Sequence, residues 1–204
     1  MRAKLLLSLA SILLFAISAS AQKYEVSVSV GGMGTGERDI VLPVPGIIDV
    51  NNGLAYQVNF TQRFFNAQLA SLHFEFPITV TPRREIDSSN VLSPRSYSTL
   101  FITPGIKLKL LPGAGISPYA VAGVGYARFN SSDFLVNDQP NPGDRSVNRA
   151  VFDFGGGLDF KVLPYISVRG EVRDFVSGNP RLNSEFIANR QHNLLISGGI
   201  VLRF

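Results

Sequence analysis

The chain of 204 residues has no cysteine and no tryptophan, and it has only two histidines. The absence of cysteine excludes disulfide bridges, thiolate catalysis and cysteine-ligated metal sites. Beyond residue 21, no apolar stretch is long enough to cross a bilayer as a helix, and helical periodicity is absent. Its 19 basic and 15 acidic residues are scattered, so the sequence predicts no nucleic-acid-binding surface. If this chain enters a membrane, it must do so with strands.

The segment 1–21 has the layout of a secretory signal peptide. Two basic residues near the start precede an apolar core at 5–17, and small residues at 19–21 suit a cleavage site. The core is too short for a comfortable membrane span, and an uncleaved anchor is the alternative. We expect cleavage to leave a single domain, residues 22–204.

Alternation of apolar and polar residues with a period of two runs through the rest of the chain and indicates β-strands. In the segment 165–175, for example, Val168 and Val172 alternate with Arg169 and Arg173. Most of the segments have about the ten residues that a tilted strand needs to cross a bilayer. Eight strands are predicted, at 24–30, 54–64, 70–80, 99–110, 118–129, 150–162, 165–175 and 193–204.

The connections between these strands alternate strictly in length. Those after the second, fourth and sixth strands are short, whereas the others are long, at 31–53, 81–98, 130–149 and 176–191. Tight turns at one end and long loops at the other are typical of outer-membrane barrels. A soluble β-sandwich has no reason for this alternation.

The charged residues share one face of these strands, and the opposite face is nearly continuously apolar. In lipid, every backbone polar group needs an internal partner, and only a closed ring leaves no open edge. We therefore place the apolar face toward lipid, the reverse of a lipocalin-like barrel. The predicted fold is all-β: an eight-stranded antiparallel up-and-down transmembrane β-barrel.

Side chains alone can fill the interior of such a barrel. Because buried charges persist only when they are paired, we expect an ion-paired plug, with a narrow pore for ions or small solutes as the alternative. The predicted interior charge network comprises Glu25, Arg63, His73, Glu75, Asp153, Asp159, Lys161, Arg169, Glu171 and Arg173.

The end of the chain and two internal segments carry a family resemblance. These are the final alternation, PGIKLKLLP at 104–112 and SPYAVAGVGYARF at 117–129. With them the chain resembles the small OmpA/OmpX-type barrels of Gram-negative outer membranes. The resemblance implies an outer-membrane location and a C-terminal signal read by the barrel-assembly machinery; the alternative is a soluble edge strand that ends in phenylalanine. The residues that match this signal are Phe204, Leu202, Ile200 and, more weakly, Ile196.

The long loops carry arginine, whereas the lysines beyond the signal segment lie near the opposite end of the predicted barrel. Arginine presents a planar fork suited to phosphate, and lipopolysaccharide phosphates would surround the loop end. The alternative, which we favour, is pairing with loop acids such as Glu85 and Asp87. The candidates for lipopolysaccharide contact are Arg83, Arg84, Arg95 and Arg145.

The first long loop contains an apolar segment, DIVLPVPGIIDV at 39–50. We expect a hairpin around 43–46 that projects above the membrane. Because exposed apolar patches and strand edges also capture partners, an interaction site is the alternative.

The two histidines raise the question of catalysis. His73 is predicted inside the barrel, and His192 is predicted outside, near Ser177 or Glu185 on the preceding loop. Some small outer-membrane barrels modify lipid A with such residues, but a hydrolase needs nucleophile, base and orienting group in contact, and no local motif supports that here. We expect no catalytic, cofactor or metal site, with a lipid A-modifying hydrolase or acyltransferase as the alternative.

Together, these features favour a monomeric barrel with a structural or surface-interaction role through four extracellular loops. The expected partners are membrane lipid, lipopolysaccharide and, during biogenesis, the assembly machinery.

Overall fold

The computed structural model describes residues 23–35, 38–42, 46–180, 183, 185–186 and 190–204; the predicted signal segment lies outside them. Within these ranges the chain is built of strands, and no helix there is long and apolar enough to cross a membrane. The strands are β1 (Tyr24–Gly34), β2 (Arg38–Leu42), β3 (Gly46–Val50), β4 (Gly53–Asn66), β5 (Ala70–Ser88), β6 (Ser96–Ile102), β7 (Gly105–Leu110), β8 (Ile116–Ser131), β9 (Ser146–Leu163), β10 (Ile166–Gly178), β11 (Glu185–Phe186) and β12 (Arg190–Arg203).

Eight strand positions form a closed antiparallel ring. Its order is β1, β4, β5, the pair β6 and β7, β8, β9, β10 and β12, and β12 returns to pair with β1. Each predicted strand is present, and several extend further toward the end that carries the long loops. The predicted eight-stranded up-and-down barrel is therefore confirmed.

The fourth position of the ring is interrupted at Thr103 and Pro104, between β6 and β7. Proline has no N–H to donate to a sheet, so the hydrogen-bond ladder changes here. The wall still closes, because the Thr103 N–H donates to the Pro77 carbonyl at 3.4 Å and the Val124 N–H donates to the Pro104 carbonyl at 3.2 Å. Gly125 lets β8 approach, since a Cβ there would collide with the Ile102 carbonyl oxygen.

A small extension of the sheet stands at the long-loop end of the barrel. β2 and β3 form an antiparallel hairpin, β3 pairs with the end of β5 through Ile48 and Ser88, and β11 pairs with β2. The hairpin predicted within 39–50 is therefore confirmed, although residues 43–45 of its turn lie outside the described residues.

Burial in the barrel wall is the reverse of that in a soluble protein. Outward-facing Val28 and Ile200 are 60% and 55% exposed, whereas inward-facing Glu75 and Arg173 are fully buried. The predicted direction of the alternating faces is confirmed. This surface suits hydrocarbon, because a soluble protein rarely exposes so wide an apolar band.

Candidate functional site

A cluster of ion pairs, which we call the lower network, fills the interior near the short-turn end. It consists of Glu25, Lys109, Asp159, Arg169 and Arg203. The Lys109 Nζ lies 2.6 Å from Glu25 Oε1 and 2.7 Å from Asp159 Oδ2. Arg169 donates to both Asp159 oxygens, at 2.8 and 3.1 Å, from the directly opposite position on the next strand. Arg203 reaches Glu25 at 3.1 Å, so the network also ties the last strand to the first.

A second cluster, the central network, surrounds the guanidinium of Arg173. Its Nη2, Nη1 and Nε atoms lie 2.9, 2.6 and 3.0 Å from oxygens of Glu75, Asp153 and Glu171. Glu171 also accepts a hydrogen bond from the Tyr119 hydroxyl at 2.7 Å. One guanidinium thus holds carboxylates from three strands, which fixes the wall positions relative to one another.

Lys107 lies between the two networks and is fully buried. Its Nζ stands 3.7 Å from the centre of the Tyr119 ring, a cation–π contact that is strengthened when water is excluded. Arg169 contacts the same ring at 4.8 Å. Tyr119 therefore separates two cations and, through its hydroxyl, joins them to the central network.

An apolar layer lies above the central network, toward the long-loop end. Phe101 stacks on Phe175 at 4.6 Å between ring centres and meets Phe129 edge-on at 6.0 Å. Met33 and Leu195 also belong to the layer, and these five side chains are at most 1% exposed. The prediction of charges as the interior filling missed this layer. Alternation could have found it, because it places Phe101 on the same face as the inward Thr99 and Thr103.

The predicted interior network is largely assembled. Its members that are buried and ion-paired are Glu25, Glu75, Asp153, Asp159, Arg169, Glu171 and Arg173. His73 is buried and hydrogen-bonds Ser71 at 2.8 Å, and Arg63 is half-buried. The placement of Lys161 in the interior is wrong, because β9 runs past the ring's lower rim and leaves that side chain exposed. The predicted set omitted Lys109 and Arg203, although alternation puts both on the charged face.

The loop arginines fall into two groups. Arg83, Arg95 and Arg145 are exposed and pair with acids of the same loop end, namely Glu85, Asp138 and Asp133. Of these ion pairs, Arg83 with Glu85 is one that the favoured alternative to lipopolysaccharide contact names, whereas Asp133 and Asp138 were not among its expected partners, and Arg95 with Asp138 joins two different loops.

Arg84 is different, and its prediction as a surface contact is wrong. It is 1% exposed, because a register shift between Thr81 and Arg84 turns its side chain into the barrel mouth. There it donates to the Tyr97 hydroxyl at 3.1 Å and to Asn193 Oδ1 at 3.3 Å. Burial lowers the pKa of the Arg84 guanidinium from its ordinary value, and Tyr97 opposes that shift.

His192 lies on the outer face, as predicted, and its Nδ1 is 2.6 Å from Asp174 Oδ2. Ser177, one proposed catalytic companion, is 1% exposed and faces inward, so it does not meet His192. The side chain of Glu185, the other companion, lies outside the described residues. Among those described, no group of three or more histidine or acidic residues could hold a metal ion.

Three residues of the predicted assembly signal lie along the outside of β12, and Phe204 follows directly after it. Ile196, Ile200 and Leu202 are 60%, 55% and 48% exposed, and Phe204 stacks on Tyr24 at 6.0 Å.

Comparisons with known proteins bear on this architecture. No family model matches the chain, and no curated protein matches its sequence. Solved structures do match over nearly the whole chain. Neisserial surface protein A has a TM-score of 0.60 at 13% identity, covering 89% of this chain and 97% of its own. This chain has the fold of the small eight-stranded outer-membrane β-barrels.

Two further structures agree with this fold. The outer membrane protein OprG from Pseudomonas aeruginosa has a TM-score of 0.57 at 13% identity, covering 90% of this chain and 96% of its own. The attachment invasion locus protein Ail of Yersinia pestis, solved with a heparin analogue, has a TM-score of 0.50 at 15% identity, covering 89% and 99%. At such identities the likeness concerns the fold alone.

Proposed function

We propose that this protein is an exported, monomeric outer-membrane barrel with a structural or surface-interaction role. The observation that carries the proposal is the inverted burial of the wall, with charges inside and an apolar band outside. Such a band is stable only against hydrocarbon, and a closed ring satisfies its own backbone groups there. Termini in the periplasm and long loops outside follow from the barrel layout.

The filled interior argues for a plug rather than a pore. Both networks and the apolar layer lie across the bore, and their members are nearly all buried. A cation entering from one end would have to displace Lys109 or Arg173 from its carboxylates, which is costly in a desolvated site. We expect no unitary conductance when the purified barrel is added to a planar lipid bilayer. Discrete steps in the current would favour the pore instead.

The long-loop end is the surface available to partners outside the cell. There β3, β2 and β11 extend the sheet beyond the ring, and sheet edges can pair with extended segments of other chains. Membrane lipid and lipopolysaccharide are the partners that this location offers. One structure of the same fold is named an attachment invasion protein, which is compatible with a surface role here.

Electrophoretic mobility in SDS, unheated against boiled, tests the proposal first. A closed barrel resists cold SDS and migrates differently after boiling, so we expect a mobility shift for protein in the outer-membrane fraction. Protein that is soluble in the periplasm and shows no shift would overturn the proposal. The apolar face would then be a covered surface, and a soluble ligand-binding barrel would become the leading interpretation.

A further inference from the structure

A groove of about 670 Å³ runs across the outer face of β1, β12 and β10, near the long-loop end. Gly32 and Gly34 contribute to its lining, together with the apolar side chains of Leu194 and Ile196. Its volume lies within the range of roughly 300–1,000 Å³ that small-molecule sites occupy.

The groove lies where the outer face of β1 carries no side chain, at Gly32 and Gly34. Gly32 pairs with Ile196 on one side and with Leu54 on the other, and these two side chains are 60% and 62% exposed. A Cβ at Gly32 would meet no atom within 4 Å. The packing of the barrel therefore does not require glycine at position 32. Because Gly32 has no side chain, the groove stays open there.

The upper end of the groove is polar. His192 Nδ1 lies 2.6 Å from Asp174 Oδ2, and Thr35 and Asn52 also line this end. The side chain of Asp174 is only 15% exposed, and its second oxygen, Oδ1, is buried with no hydrogen-bond partner among the described residues. Because Oδ1 has almost no accessible surface, a ligand in the groove approaches this carboxylate beside the exposed His192 ring, where Oδ2 lies.

We propose that this groove binds one acyl chain of an outer-leaflet glycolipid, with a hydroxyl or amide N–H of the headgroup donating to Asp174. The groove is lined by apolar residues toward the short-turn end and by hydrogen-bonding residues toward the long-loop end. This arrangement matches a lipid whose headgroup lies at the long-loop end. The Asp174 carboxylate repels phosphate and accepts from neutral donors, which favours a sugar or amide group at this point. The inference rests on the membrane location proposed above.

Native mass spectrometry of the full chain in detergent tests this site, with lipid A as the probe. Phosphatidylcholine with chains of equal length is the comparison lipid, because its headgroup has no N–H or O–H donor. Gly32→Leu fills the groove with a side chain. It should lower lipid A retention by about tenfold or more, the effect expected when a few well-packed contacts of a binding site are lost. Gly170→Leu is the matched control, since Gly170 is also exposed on the outer face and a Cβ there meets nothing within 4 Å.

Asp174→Ala tests the polar end separately. It should reduce lipid A binding to the level of phosphatidylcholine while leaving phosphatidylcholine unchanged. Equal retention by the Gly32→Leu and Gly170→Leu variants, or equal binding of the two lipids to the unmodified chain, would overturn the site. Unheated SDS mobility of every variant separates these outcomes from failure of the membrane proposal, because a chain that is no membrane barrel would show no heat-dependent shift at all.

Discussion

The central network and the apolar layer occupy the same bore, one above the other, with opposite chemistry. Around Arg173 the interior is charged, and the wall outside it is apolar. At the level of Phe101 and Phe129 the interior is an aromatic core, and the outer face beside it is mixed, with polar Arg128 and Asn148 exposed on one side and apolar Leu194 and Ile196 on another. The charged interior is therefore confined to the part of the bore from the central network to the short-turn end. Above it the interior is packed like the core of a soluble protein.

The largest effect should come from breaking the central network. Arg173→Ala leaves Glu75, Asp153 and Glu171 buried around a missing cation, and removing one partner of a buried ion pair costs roughly 3–5 kcal/mol. The free energy of unfolding in urea, followed by the heat-dependent mobility shift, measures this loss. An unchanged midpoint would mean that the three carboxylates do not depend on Arg173 for their neutralisation.

The apolar layer should respond as a normal core does. Phe101→Ala removes the ring that contacts both Phe175 and Phe129, and such truncations cost about 3 kcal/mol. The matched control is Phe76→Ala on the outer face, which is 39% exposed and should cost less in the same urea titration. Equal costs at the two positions would show that the layer is not packed as a core.

The smallest effect should come from the exposed ion pairs of the loop end. Arg83→Ala removes a pair with Glu85 in which both side chains are more than 60% exposed, and such pairs contribute roughly 0–1 kcal/mol. The urea midpoint should therefore move little. A loss as large as that of Arg173→Ala would mean that the contrast between buried and exposed charges does not hold here.

Alternation predicts most of the wall, because a period of two fixes which side chains face the same way whatever their partners are. It placed Glu25 and Arg173 inside correctly. It could not predict that Arg173 meets Glu75, since that contact crosses the bore between residues far apart in the chain. The positions of Arg84 and Lys161 were predicted wrongly for a related reason. The register shift beside Arg84 and the height of the rim beside Lys161 depend on how neighbouring strands pair, so the sequence of one strand does not reveal them.

The seam between β1 and β12 has a consequence for how the molecule forms. Every other seam joins ring strands that follow one another along the chain, with at most β2 and β3 or β11 between them, whereas this one pairs Glu25 with Arg203. Contacts of such sequence separation form slowly, because the whole intervening chain must be ordered or looped out first. Until β1 and β12 pair, the sheet has two edges with unpaired backbone groups, and such edges can pair with strands of other chains and so cause aggregation. Pairing of the C-terminal strand β12 with β1 therefore determines how long the chain is exposed to aggregation.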